Sequence, residues 1–143
     1  MNDEISEFLI ASIVGLLGWF FGGLDGFIKV LIACTIVDYI TGICRARINR
    51  TLSSVIGFQG ITRKVTMFLF VGVAHIIGQH ILHDGGAMKI AVCLFYIGNE
   101  GISIVNNAEK LGLPIPKFLH GKFLNFTITN EEKVQEITQK KAV

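Results

Sequence analysis

Charge is scarce in this chain: Asp, Glu, Lys and Arg make up 17% of its 143 residues, against a hydrophobic share of 51% and 16 glycines. A water-soluble domain of this size would have to expose contiguous apolar patches, so the composition names lipid as the solvent and leaves room for one domain. The net charge of +2 is too small to argue for nucleic acid. Cys34, Cys44 and Cys93 all fall in apolar segments, and an odd count with no CxxC pair argues against a disulfide framework and a zinc site. His75, His80 and His83 fit no metal-ligand signature. No nucleophile elbow, Walker loop, HExxH or dinucleotide fingerprint is present, so nothing supports an enzyme or a cofactor. Gly57-Phe58-Gln59-Gly60 matches the GxxG of RNA-binding loops, but no such domain surrounds it and the match is chance. The N-terminus has Asp3, Glu4 and Glu7 and no Lys or Arg. It lacks the positive region of a cleaved signal peptide, and the first apolar run is expected to be retained.

What is present is apolar sequence in blocks, arranged around one basic stretch from Asp38 to Val65. Five of the 13 Lys and Arg residues lie there: Arg45, Arg47, Arg50, Arg63 and Lys64. Juxtamembrane cations stay on the cytoplasmic side and meet anionic lipid, so this stretch sets the topology. The first apolar run, 8–24, is short for about 30 Å of hydrocarbon and is expected to span or to lie at the interface. Gly22 to Gly26 reads as a tight turn. Residues 27–44 form a spanning helix, 45–64 a cytoplasmic loop, and 65–82 and 87–105 two further spanning helices separated by the His83 to Gly86 turn. Residues 1–7 and 106–143 are expected in the cytoplasm. Pro114 and Pro116 stop the last helix, and Leu119, Phe123 and Phe126 recur at helical spacing, as in a segment lying on the membrane. The tail from Asn130 has a solvated composition. With four spans, 11 of the 13 Lys and Arg residues fall inside, and only Lys29 and Lys89 fall outside.

Polar groups inside these helices each cost about 2.5 to 3.5 kcal/mol if charged at the bilayer centre, and so demand a reason. Thr35, Asp38, Gly42 and Arg45 share one helix face, as do Tyr96, Glu100, Ser103 and Asn107, and Gly72, His75 and Gln79. Asn99 adds a second polar group beside Glu100. Asp38 and Glu100 both lie about 8 to 9 Å inside the cytoplasmic boundary, and His75 about 15 Å from it, near the midplane. Two readings stand open: the stripes pack helix against helix, or they line a wet lumen.

The motifs LGWFFGGLDG (Leu17 to Gly26), DYITG (Asp38 to Gly42), LSSVIGFQGITRKV (Leu52 to Val65) and YIGNEGISIVNNAEKLGLPIPK (Tyr96 to Lys117) resemble phage holins of the toxin-secretion and phage-lysis type, over about Gly18 to Leu119. The resemblance implies an all-α, oligomeric protein of three to four transmembrane helices in the bacterial cytoplasmic membrane. It implies self-assembly into lesions that release an endolysin, or in some relatives a toxin, without required contact to the endolysin. It also implies no enzymatic activity and no cofactor. The competing readings are a small proton-coupled exporter or ion channel, whose acid would sit in the first helix where this chain has none, and a structural membrane anchor.

Overall fold

A computed structural model describes residues 2–119. The expected surface segment beyond Leu119, with Phe123, Phe126 and the tail, lies outside the described residues. The described chain is helical, with four helices: α1 (Asn2–Phe21), α2 (Gly26–Ile48), α3 (Ser54–Ile77) and α4 (Ala87–Lys110). A π-helical turn, Gly78–Leu82, extends α3. All four are long and apolar enough to cross a bilayer, with stretches of 19, 23, 29 and 24 residues.

Each boundary has a local cause. The α1 C-terminus closes on Gly22 at φ 67°, with Gly23 N–H donating to Gly18 O at 2.8 Å, so the chain reverses where only glycine turns freely. Asp25 then caps α2, its carboxylate accepting the Ile28 N–H. Ser53 caps α3 through the Ile56 N–H.

The segment between α2 and α3 differs from the 45–64 loop expected above. Helix α2 continues through Arg45 and Arg47, and α3 begins eleven residues before Val65, leaving a connection of five residues, Asn49 to Ser53. Two facts explain the shortening. Arg50, at φ 55°, completes a Schellman closure in which its N–H and that of Thr51 reach back to Arg47 O and Ala46 O. Gly57 and Gly60, which read as turn formers, are instead the places where Tyr39 of α2 packs against α3. Small residues there permit close approach of helices.

Helices α2, α3 and α4 form the bundle, with the most extensive contact between α2 and α4. Its core is small: Ile28, Leu31, Met67, Val71 and Cys93, flanked by Phe21, Phe68 and Tyr96. Much of the remaining apolar surface, including Phe8, Phe58, Phe70 and Phe95, faces outward. In water that surface would aggregate; in a bilayer it is solvated. Helix α1 is a satellite. It is exposed from Asp3 to Trp19 and, among the described elements, approaches only α3, where Phe20 lies over Gly72 and Phe21 meets Phe68 edge to face.

Candidate functional site: a charged triad inside the bundle

The three-helix bundle places Asp38 of α2, Lys64 of α3 and Glu100 of α4 at one level. Lys64 Nζ lies 2.7 Å from Asp38 Oδ2 and 2.5 Å from Glu100 Oε2, and the three side chains are 15%, 13% and 9% exposed. Asn107 adds its amide, donating to Asp38 Oδ1 at 3.2 Å and to the Thr41 hydroxyl at 3.1 Å. One ammonium thus serves two carboxylates, and an amide satisfies the remaining face of one of them. Such a network is tolerated in a low-dielectric interior because each polar group has a partner.

This position of Lys64 corrects its expected place with Arg45, Arg47, Arg50 and Arg63 among lipid-facing cations. The reason is helical phase. Gly57, Gly60, Lys64, Met67 and Val71 recur at three- and four-residue steps, so Lys64 belongs to the face of α3 that packs inward, while Arg63, one residue earlier, is turned about 100° away and is exposed. That spacing was the signal available in the sequence. On α4 the same periodicity runs Lys89, Cys93, Tyr96, Glu100, Ser103 and Asn107, and it contains all four buried residues of the helix, Lys89, Cys93, Glu100 and Asn107.

The remaining polar candidates separate into two groups. Thr35 is buried and donates to Leu31 O at 2.7 Å; Gly42 faces Asn107; Tyr96 packs on the core; Ser103 is half-buried beside the triad. Gln79 is exposed, within the π-helical turn Gly78–Leu82. Asn99 is also exposed, at the rim of the cleft beside Glu100. His75 sits under the α1 to α2 turn, where a Cβ on Gly22 would strike its ring, and its Nδ1 is buried without a described partner.

A second ion pair closes the opposite end of the bundle. Lys89, counted above among outer charges, is 4% exposed, and its Nζ lies 2.6 Å from Asp25 Oδ2. Burial works against the Asp25 carboxylate, but the Lys89 ammonium and the Ile28 N–H outweigh it and hold the group below its ordinary range. Asp84, in the turn before α4, is also held low, chiefly by the Met88 N–H and also by that of Gly86. Among the described residues, no group of three His, Cys, Asp or Glu side chains converges as a metal ion would need.

Two polar clefts flank the triad. One of about 300 Å³ lies between α2, α3 and α4 and includes Tyr39, Arg45 and Asn107; the other, of about 450 Å³, includes Tyr96, Asn99 and Glu100. Asp38, Gly60, Arg63, Lys64 and Ser103 line both. The triad is therefore a partition between two openings within an otherwise apolar set of helices.

Comparison with known proteins gives the family of the chain. The sequence profile described as the bacteriophage holin family matches residues 15–127. A probable holin of Bacillus phage phi105 is 32% identical, over 79% of this chain and 83% of that protein. An uncharacterized protein of Listeria monocytogenes is 34% identical over 91% of this chain and 92% of its own length, and one of Halalkalibacterium halodurans is 35% identical over 82% and 90%. No solved structure matches. Four long apolar helices and a profile covering most of the chain lead to one assignment: this is a multi-pass protein of the bacterial inner membrane that belongs to the bacteriophage holin family.

Proposed function

We propose that the chain acts as a holin, gathering in the bacterial cytoplasmic membrane and opening lesions through which an endolysin, or a toxin, leaves the cell. The observation that carries this reading is the Asp38, Lys64 and Glu100 triad with Asn107, held in helices whose outer surfaces are apolar. Within one subunit the charged groups are satisfied by each other. When subunits associate, the same groups gain a second solution, facing a shared aqueous lumen where water replaces the ion pairs.

The triad couples this choice to the membrane potential. Any charge that changes its position in the field contributes about 2.3 kcal/mol per 100 mV, and small displacements summed over many subunits amount to a switch. Loss of the potential then favours the opened assembly.

The test is induced expression with a co-expressed cytoplasmic murein hydrolase, followed by an energy poison. Release of the folded enzyme and abrupt lysis are expected. Passage of small solutes alone would favour a channel or exporter, and passage of nothing would favour an anchor; either result overturns the proposal. Replacing Glu100 by Gln keeps the shape and removes one charge, so lysis timing shifts. Unchanged timing and lesion size would remove Glu100 from the mechanism.

A further inference from the structure

We propose that the smaller cleft, between α2, α3 and α4, is a binding site for the phosphate of an anionic phospholipid headgroup. Arg45, Arg63 and Lys64 line it against the single carboxylate of Asp38, a local balance of three minus one, or +2. The cleft on the other side of the triad has Arg63 and Lys64 against Asp38 and Glu100, a balance of zero. The two openings share five lining residues and differ in charge.

Lys64 is already committed to Asp38 and Glu100. Arg45 and Arg63 have no ion-pair partner among the described carboxylates, so two guanidinium groups face the opening with free donors. Guanidinium groups match phosphate oxygens in geometry as well as charge. Helix α3 begins at the same end without an acidic residue in its first turn, so nothing there offsets the positive potential of its N-terminus. Gly57 and Gly60 keep side-chain bulk out of the wall.

The rim favours a lipid over a free anion. Leu52 and Ile56 line the cleft and are 49% and 51% exposed, which sets apolar surface for acyl chains directly beside the cationic floor. Arg47 and Arg50, at the end of α2 and just beyond it, mark the headgroup level at this end of the spans. Basic pockets between transmembrane helices on the cytoplasmic side are suited to anionic headgroups. This site is independent of lesion formation, since a chain that forms no lesion would still bind lipid through it.

The experiment uses the full chain in detergent, loaded with phosphatidylglycerol or phosphatidylcholine and analysed by native mass spectrometry. Retained phosphatidylglycerol is expected on the wild type in preference to phosphatidylcholine. The pair Arg45→Gln and Arg63→Gln lowers retention roughly tenfold or more, as expected for two lost cation contacts, while Arg47→Gln with Arg50→Gln, an equal charge change outside the cleft, leaves it within about twofold. Equal loss in both pairs, or no headgroup preference in the wild type, overturns the site. Should the first pair fail to fold, arginine-selective dicarbonyl labelling of the wild type decides. Phosphatidylglycerol protects Arg45 and Arg63 ahead of Arg47 and Arg50 if the site exists, and protects all four alike if it does not. Equal protection by inorganic phosphate overturns the lipid assignment.

Discussion

Lys64 is the residue whose replacement most directly exposes how the bundle is held. Changing it to Met keeps most of the side chain's length without its charge and leaves the carboxylates of Asp38 and Glu100 without a counter-charge. Loss of one partner from a buried ion network costs about 3 to 5 kcal/mol. The expected outcome is a large drop in thermal stability in detergent, partly restored when Asp38→Asn and Glu100→Gln are added so that no uncompensated charge remains. Absence of that restoration would mean that Lys64 acts through packing alone. Gly72 gives a second, steric case. A Cβ at Gly72 would collide with the Phe20 ring, so Gly72→Val is expected to detach the end of α1 from α3 while leaving the triad in place. Loss of amide hydrogen-exchange protection at Phe20 and Phe21 would report the detachment; an unchanged profile would show that Phe20 finds another seat.

At the scale of elements, the two turns at the end opposite Arg45 depend on carboxylates. Asp25 caps α2 and pairs with Lys89, and Asp84 accepts the Gly86 and Met88 N–H groups at the start of α4. Both acids titrate below their ordinary value of 3.8 in the folded chain. The folded state therefore binds fewer protons than the unfolded state between the two values, and the stabilisation is fully present above pH 3.8. It is lost as pH falls through the folded values. Amide protection factors in micelles, which are corrected for the intrinsic slowing of exchange in acid, are expected to fall at the first turns of α2 and α4 when pH is lowered from about 5 to well below 3.8. Asp84→Asn with Asp25→Asn should remove that acid sensitivity. The Arg50 closure illustrates a further element-level effect, since a left-handed non-glycine residue there is compensated by the Schellman hydrogen bonds.

For the whole molecule, the division is between a three-helix bundle and a loosely attached first helix. Among the described elements helix α1 meets α3 alone, with Phe20 over Gly72, Phe21 against Phe68 and the following Gly22 against His75. Deleting residues up to Gly18 is expected to leave the helical content of α2 to α4 and the Lys64 ion pairs intact, with a stability change of under about 1 kcal/mol, because few buried contacts are removed. Circular dichroism and thermal unfolding of the truncated chain in the same detergent are the measurements. A collapse of the bundle would show that α1 supports it in a way its exposed surface does not reveal. The same truncation changes the number of spans, so it offers a separate handle on topology.

The membrane class, the helix count and the clustering of cations at one end follow from the chain's residues alone, because hydrocarbon imposes length, apolarity and internal hydrogen bonding on whatever crosses it. Polar stripes on the second and fourth helices were legible for the same reason: a helix repeats every 3.6 residues whatever it packs against. Which cation enters the bundle was not legible from composition, since Arg63 and Lys64 are neighbours in sequence and differ only in phase. Tertiary packing decided that Lys64 turns inward to two carboxylates while Arg63 stays at the surface, that Lys89 is buried on Asp25, and that Gly57 and Gly60 are contact points for Tyr39 rather than a bend. These outcomes depend on which helix faces lie opposite one another, and that is a property of three helices together, not of any one of them.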